Sequence, residues 1–262
     1  MDALLDSYRR LFDLDGRTAL VAGGAGGIGR AVSEALAARG CTVVLTAQSS
    51  DKAESVAAAI REAGGAAEGR ALKVDDLADL RTFMEALYAS VQRVDILVNC
   101  IGTHIEAPAE SYTEEDWDHI LNVNLKTAFF LSQEVAKRQI GQGGGKHIHI
   151  SSVRSLLGIS RGYISYCTSR GGMNMMIKQL ATEWAKFGIT VNGIGPTFTR
   201  TSLVADYLND PVFYKNLVAR IPLGRVCEPR DIAALATFLA APASDFITGQ
   251  IVFVDGGVTA CQ

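Results

Sequence analysis

The sequence predicts an α/β domain built on a parallel sheet of about seven strands, doubly wound with helices on both faces. Three observations carry that expectation. Short apolar runs alternate with longer helical patterns about seven times along the 262 residues. The runs are apolar on consecutive positions, as required of strands buried on both faces by their crossover helices. The first run ends in a glycine cluster, Gly23-Gly24-Ala25-Gly26-Gly27-Ile28-Gly29, from which a helical pattern starts. Hydrophobic residues make up 48% and charged residues 20%, enough apolar surface for one full core. No linker, low-complexity segment or internal repeat interrupts residues 1–262, so they are read as one domain.

Each element has its own signal. After a polar-apolar lead-in over residues 1–16, residues 18–22 form a buried strand. Ile28, Val32, Ala35 and Leu36 fall at helical spacing in a helix over 28–39, and Gly40 stops it. A strand over 42–46 follows, then an alanine-rich helix over 52–63 closed by Gly64-Gly65. Residues 70–74 read as a strand, 77–90 as a helix and 96–99 as a strand. Thr113-Glu114-Glu115-Asp116 offers a capping box for a long helix reaching about residue 139. A glycine loop over 141–145 leads to a strand at 147–151, a helix over 163–186 and a strand over 189–194. A helical excursion over 202–219 breaks at Asp210-Pro211. Pro229 suits the first turn of a helix through 240. The last strand, 250–254, closes at Asp255-Gly256-Gly257.

Composition narrows the function. The formal charge is -3, with no strong basic run, which argues against nucleic acid or an anionic membrane surface as a partner. Residues 1–16 lack the unbroken apolar core of a secretory signal, and no run is long enough to span a bilayer. Five scattered cysteines, Cys41, Cys100, Cys167, Cys227 and Cys261, without CxxC spacing, read as reduced thiols in a cytoplasmic protein. His147 and His149 share one strand face, but no third ligand lies nearby in sequence, so no metal is expected.

The glycine cluster points to a nucleotide. Between a strand and a helix, such glycines allow a tight turn and let backbone N–H groups reach a pyrophosphate at the helix N-terminus. This is a Rossmann-type arrangement, with Gly23, Ala25, Gly26, Gly27, Ile28 and Gly29 as the phosphate cradle. Its spacing is GxxxGxG. An acid after the second strand would bind the ribose 2′-OH of NAD. Here Ala47-Gln48-Ser49-Ser50 supplies none, and the serines can donate to a 2′-phosphate. NADP is therefore expected, with NAD as the other possibility. Asp75, after the third strand, is placed to accept from adenine N6.

The chemistry is read from Tyr166 and Arg170, four residues apart on one helix face, after a strand that ends in Ser151-Ser152. A phenol, a hydroxyl and a fixed cation are the parts needed to move a proton at a carbonyl.

Together these pieces resemble the short-chain dehydrogenase/reductases, in the single-domain subgroup, over nearly the whole chain. The matching residues are Gly23-x-x-x-Gly27-Ile28-Gly29, Asp75, Asn99-Cys100-Ile101-Gly102, Asn124, Ser152, Tyr166-x-x-x-Arg170, 196–201 and Asp255-Gly256-Gly257. Leu11-Phe12-Asp13-Leu14-Asp15-Gly16 and Asn192-Gly193-Ile194-Gly195-Pro196 are similar to members of the gluconate 5-dehydrogenase type. The resemblance implies Tyr166 as general acid/base, Ser152 as the group orienting the substrate oxygen, and Asn124 as support for a proton-relay water chain. It implies that the residue at 170 holds the nicotinamide ribose and stabilises the phenolate. Asp76, Asn99, Gly102, Pro196, Thr199 and Thr201 join the cofactor site, Ile194 faces the nicotinamide, and the helices over 113–139 and 163–186 pair chains into a homotetramer or homodimer.

Four departures from the family pattern stand out. Ala22 replaces a threonine, Cys100-Ile101 replaces Asn-Ala, and the loop from Ser152 to Tyr166 is one residue longer, leaving Ser151 and Ser155 open as the orienting hydroxyl. Most consequential, Arg170 replaces lysine. It keeps the charge and the donors but cannot share protons as an ammonium does. The function expected is an NAD(P)-dependent oxidoreductase interconverting a secondary alcohol and a ketone on a small polar substrate, a sugar acid or polyol. Arg154, Tyr163, His104 and Arg200 are candidates to receive its carboxylate or hydroxyls. The alternatives are a 3-oxoacyl thioester reductase and, because of Arg170, a nucleotide-binding pseudoenzyme.

Overall fold

Seven strands, β1 (Thr18–Ala22), β2 (Thr42–Ala47), β3 (Ala66–Ala71), β4 (Ile96–Asn99), β5 (Gly145–Ile150), β6 (Ile189–Pro196) and β7 (Ile251–Val254), form one sheet. All pairings are parallel and the order is β3-β2-β1-β4-β5-β6-β7. The structure, a computed structural model, describes residues 2–74 and 76–261. The helices are α1 (Asp2–Arg9), α2 (Gly27–Ala37), α3 (Ser50–Glu62), α4 (Leu77–Ser90), α5 (Glu114–Leu121), α6 (Thr127–Gln142), α7 (Ile164–Trp184), α8 (Ala205–Asn209), α9 (Pro211–Val218) and α10 (Pro229–Ala240).

Alternate strand residues point to opposite faces. Val21, Val43 and Val98 join side chains of α2, α3 and α10 in one core layer. Leu20, Val44 and Leu97 pack with α4 and α6 on the other face, where a further cluster ties α6 to α7. The strand order reverses between β1 and β4, and a crevice opens there beyond the carboxyl ends of the strands.

Two elements differ from the sequence reading. The third strand is 66–71 rather than 70–74. Gly64, at φ +88, turns the chain straight out of α3, and Ala66–Ala71 pairs with β2 as an edge strand. Gly69 lets α3 ride against it: a Cβ there would fall 2.3 Å from the Glu54 backbone nitrogen. The apolar signal of 70–74 belongs to Leu72 and Val74, which pack into the core after the strand has ended.

The long helix expected to 139 is interrupted. A π-helical turn over Asn122–Lys126 separates α5 from α6. π-turns mark places where a side chain is re-aimed for another task. Here the re-aimed side chain is the fully buried Asn124.

His147 and His149 are fully buried on β5. The Nε2 of His147 donates to Gln139 Oε1 at 2.9 Å, since the Gln139 amide nitrogen is engaged by the carbonyls of Val94 and Asp95. The Nε2 of His149 lies 3.2 Å from Ser132 Oγ. Burial pushes His147 down to about 3 and His149 to about 4. No group of three metal-ligating side chains gathers among the described residues.

These histidines predict acid sensitivity. In the unfolded chain they take up protons below about 6.5, their ordinary value, whereas the folded chain keeps them neutral until pH 3–4. The unfolded state therefore binds more protons, and stability falls as pH drops through that window. The slope is up to about 1.4 kcal/mol per pH unit for each histidine. In urea unfolding at about pH 7 and about pH 5, His149→Leu is expected to show a smaller loss than the native chain. An equal loss would mean that His149 is not held neutral.

Candidate active site

The crevice is a cleft of about 670 Å³ lined by the turns after β1, β2, β4, β5 and β6. Its floor begins at the glycine turn. Gly23, at φ +75, donates its N–H to Thr46 Oγ1 at 3.1 Å, so a β2 hydroxyl holds the turn that Ala22 cannot. The N-cap of α2 is Gly26, which leaves the helix N-terminus bare. A Cβ on Gly29 would fall 2.2 Å from the Gly23 carbonyl oxygen, and one on Gly27 would fall 2.5 Å from Thr201 Cγ2. The turn's own N–H groups, from Gly23 to Gly26, are spent on internal bonds, so it is the first turn of α2, from Gly27 to Gly29, that presents open N–H groups to the cleft, the arrangement that binds phosphate.

Of the expected cofactor residues, Gly23, Gly26, Gly27, Ile28, Gly29, Gln48, Gly102, Pro196, Thr199 and Thr201 line the cleft, with Tyr166 and Arg170. Others do not. Ala25 packs into the core, as does Ile194, which does not face the cleft. Ser49 precedes α3 with its side chain unbonded to the helix. Asp76 caps α4, its Oδ1 accepting from Ala78 N–H. Asn99 is buried and accepts from Ile101 N–H, shaping the exit from β4. Asp75 lies outside the described residues.

The reacting end gathers side chains from three elements. Tyr166 stands in the first turn of α7, and Ser152 follows β5; both line the cleft. Ser151 Oγ donates to Asn174 Oδ1 at 2.7 Å, and Asn174 Nδ2 donates to Ser155 Oγ at 2.7 Å. The Ser155 hydroxyl also donates to the Ser152 carbonyl. Ser152 Oγ accepts from Arg154 N–H at 3.0 Å, which leaves its own proton unassigned. Asn124, from the π-turn, clamps the backbone of Thr103. Its Oδ1 accepts from Thr103 N–H at 2.8 Å and its Nδ2 donates to the Thr103 carbonyl at 2.9 Å. Nδ2 also reaches Ser169 Oγ on α7. It therefore does not line the cleft but fixes the β4 loop against α7.

Arg170 is buried beside Tyr166. It is 5% exposed, and its Nη1 donates to the Ile150 carbonyl at 3.0 Å. Its Cζ sits 5.1 Å from the centroid of the Tyr166 ring, within cation–π range. Gly102 makes room for it, since a Cβ there would fall 1.9 Å from Nη2. Nε is buried and has no hydrogen-bond partner. Burial drives the neighbouring Cys100 thiol up to about 12, against the opposing pull of Arg170.

The rim is aromatic and cationic. His104 lies 5.2 Å from the Tyr163 ring and 6.1 Å from the Tyr166 ring, and its burial depresses its proton affinity, leaving it neutral. Arg161 forms a bidentate pair with Glu106, which raises its proton affinity further. The same guanidinium lies over the rings of Tyr163 and Tyr207, joining α8 to the loops on the far side of the cleft. Arg154 and Tyr163 line the cleft, whereas Arg200 pairs with Glu228 away from it.

Thr197 and Phe198, within the 196–201 stretch that the resemblance marked, line the cleft, whereas sequence reasoning missed Lys52, Ser202, Val204 and Tyr207, which line it too. Lys52 had a signal: it stands in the first turn of α3, where a cation opposes the helix dipole unless an anion sits there. The others belong to the excursion after β6, whose approach to the cleft only tertiary packing reveals.

A parallel α/β sheet, a bare glycine turn at its switch point, and a tyrosine–serine–cation group at the other end of one cleft define a nucleotide-dependent oxidoreductase. Residues 23–259 match the family described as enoyl-(acyl carrier protein) reductase, and the chain belongs to that family, within the short-chain dehydrogenase/reductases. It is similar to D-threitol dehydrogenase of Mycolicibacterium smegmatis, 38% identical over 95% of each chain. It is also similar to gluconate 5-dehydrogenase of Gluconobacter oxydans, 32% identical over 97% of this chain and 98% of that one. The crystal structure of a gluconate 5-dehydrogenase from Burkholderia cenocepacia in complex with NADP and tartrate superposes with a TM-score of 0.92. It is 36% identical over 97% of this chain and 99% of its own.

The role of Asn124 is testable by stability. Asn124→Leu leaves the part-buried Thr103 backbone groups without their partners, which costs about 1–2 kcal/mol. Urea unfolding measures it, and a loss within experimental error of zero would show that the clamp contributes nothing.

Proposed function

We propose that the protein is an NADP-dependent dehydrogenase/reductase that interconverts a secondary alcohol and a ketone on a small polyhydroxylated substrate, a sugar acid or polyol. The observation that carries this reading is the meeting of Tyr166, Ser152 and Arg170 in the same cleft as the glycine turn. Support for the substrate class comes from the threitol and gluconate dehydrogenases that the chain resembles, and for the cofactor from the NADP-bound relative.

The residues fit a dinucleotide. The bare N-terminus of α2 would take the pyrophosphate, and Gln48 and Lys52 line the end of the cleft where a 2′-phosphate would lie. Bound nicotinamide supplies the hydride acceptor or donor. In the oxidation direction Tyr166 Oη takes the proton of the substrate hydroxyl as the carbinol C–H bond breaks and the C=O bond forms. Ser152 Oγ donates to that oxygen and orients it. Arg170, fixed under the Tyr166 ring, stabilises negative charge on the phenol oxygen. Asn124 positions Thr103 and α7 and so holds the tyrosine in register. The reverse direction runs the same transfers backwards. Exposed apolar residues on α6 and α7, Ile140 and Met175, support pairing of chains into a homodimer or homotetramer. Five free cysteines, with none paired in a disulfide among the described residues, support a cytoplasmic setting.

One observation favours a second reading, a nucleotide-binding protein without turnover: one end of the Arg170 guanidinium, Nη1, is already committed to the Ile150 carbonyl. Tyr166→Phe and Arg170→Lys separate the two. Tyr166→Phe is expected to abolish turnover while leaving NADPH affinity within about twofold, and Arg170→Lys is expected to change the rate modestly. A native chain that binds NADPH yet turns over no secondary alcohol or ketone supports the second reading. Substantial turnover surviving in Tyr166→Phe places the proton donor elsewhere.

Cofactor choice is tested at Lys52. Lys52→Glu is expected to weaken NADPH binding at least tenfold, about 1.4 kcal/mol, while NADH binding changes little. Equal weakening of both in fluorescence titration would remove Lys52 from 2′-phosphate recognition.

A further inference from the structure

We propose that Arg154 is the anchor for a carboxylate on the substrate, so that the site selects a hydroxy acid over the corresponding neutral polyol. The inference rests on the oxidoreductase reading and names the substrate class of the same cleft.

Arg154 follows Ser152 by two residues, in the short helical turn Val153–Ser155 after β5. Its side chain is half-buried and lines the cleft. Nη1 donates to the Gly158 carbonyl at 2.8 Å and reaches the Leu157 carbonyl at 3.5 Å. Those bonds fix the guanidinium plane on one edge. Nε and Nη2 bond nothing among the described residues, so the fork retains donors for a planar, bidentate acceptor, the geometry that a carboxylate offers.

The electrostatic surroundings point the same way. Burial is the main cause lowering the proton affinity of Arg154, and the charge of Arg220 lowers it further. The remaining groups that act on it are Cys167, Tyr166 and Tyr163. Burial raises the thiol of Cys167 and the phenol of Tyr163, so both are neutral near pH 7. The Glu106 carboxylate is engaged by Arg161. A half-buried cation with no ion-pair partner among the described residues is costly until an anion arrives. The cleft is therefore built to receive negative charge a few bonds from the reacting carbon. The neutral His104 and Tyr163 beside it suit hydroxyl groups of the same molecule.

The test compares D-gluconate with D-glucitol, which differ only in carboxylate against hydroxymethyl at one end. With NADP, the native protein is expected to show a higher kcat/KM for the acid, and Arg154→Gln is expected to lower the acid-to-polyol ratio at least tenfold, mainly through KM for the acid. Arg154→Lys keeps the charge and recovers part of the ratio. Retained NADPH affinity in each variant shows that it is folded. An unchanged ratio in Arg154→Gln overturns the proposal.

Calorimetry of D-gluconate and tartrate into the NADPH-loaded protein covers the case in which neither compound is oxidised. Binding that Arg154→Gln weakens tenfold or more upholds the carboxylate site even if the oxidoreductase reading has failed. Binding equal in the native chain and Arg154→Gln, or absent for both acids, overturns it.

Discussion

The Arg170 guanidinium is a buried cation with no carboxylate partner among the described residues, and the geometry around the cleft follows from accommodating it. Removing such a charge from water costs several kcal/mol unless other groups solvate it. Three neighbours do so: the Ile150 carbonyl at the end of β5, the face of the Tyr166 ring, and the thioether of Met173 at 3.7 Å. Gly102 is the residue that gives the fork room. A strand end, a helix turn and a loop thus converge on one fixed charge, and the phenol that it underlies is held where the cleft meets the bulk of the sheet. Its neighbours are kept neutral by burial: Cys100 is driven up, and His149, whose proton affinity Arg170 depresses further, is driven down.

The second constraint is topological. Strand order reverses between β1 and β4, so the turns after these strands diverge and leave a crevice without any special device. The glycines keep its floor bare, and the segment after β6 folds back over it. Thr201 touches the place where a Gly27 side chain would be, and Tyr207 meets Arg161 from the opposite wall. Nucleotide end and reacting end are therefore coupled through the same covering segment, although they arise from residues more than a hundred positions apart.

Much of this was legible in the sequence because it depends on local rules. Apolar runs marked six of the seven strands to within a residue or two, and the glycine cluster marked the cradle. The third strand was displaced because an edge strand needs little hydrophobicity, whereas Leu72 and Val74 carry their apolar signal in a loop that packs inward. The π-turn was hidden because its cause is tertiary: Asn124 leaves the helical ladder to clamp Thr103, a partner 21 residues away. The three serines after β5 could not be told apart by spacing. Their difference is a hydrogen-bond network through Asn174, a residue on another element. Lys52 was legible in principle, as a cation at the wrong end of a helix.

In the proposed chemistry, substrate carbon and nicotinamide meet directly in the cleft while Tyr166 handles only the proton. The most direct measurement uses a secondary-alcohol substrate deuterated at the carbinol carbon, with NADP and the native protein, and locates the label in the products by NMR. Deuterium is expected on C4 of the reduced nicotinamide, on one face of the ring. Deuterium released to solvent would contradict it, because the hydrogen would then have passed through an exchangeable group rather than between the two carbons.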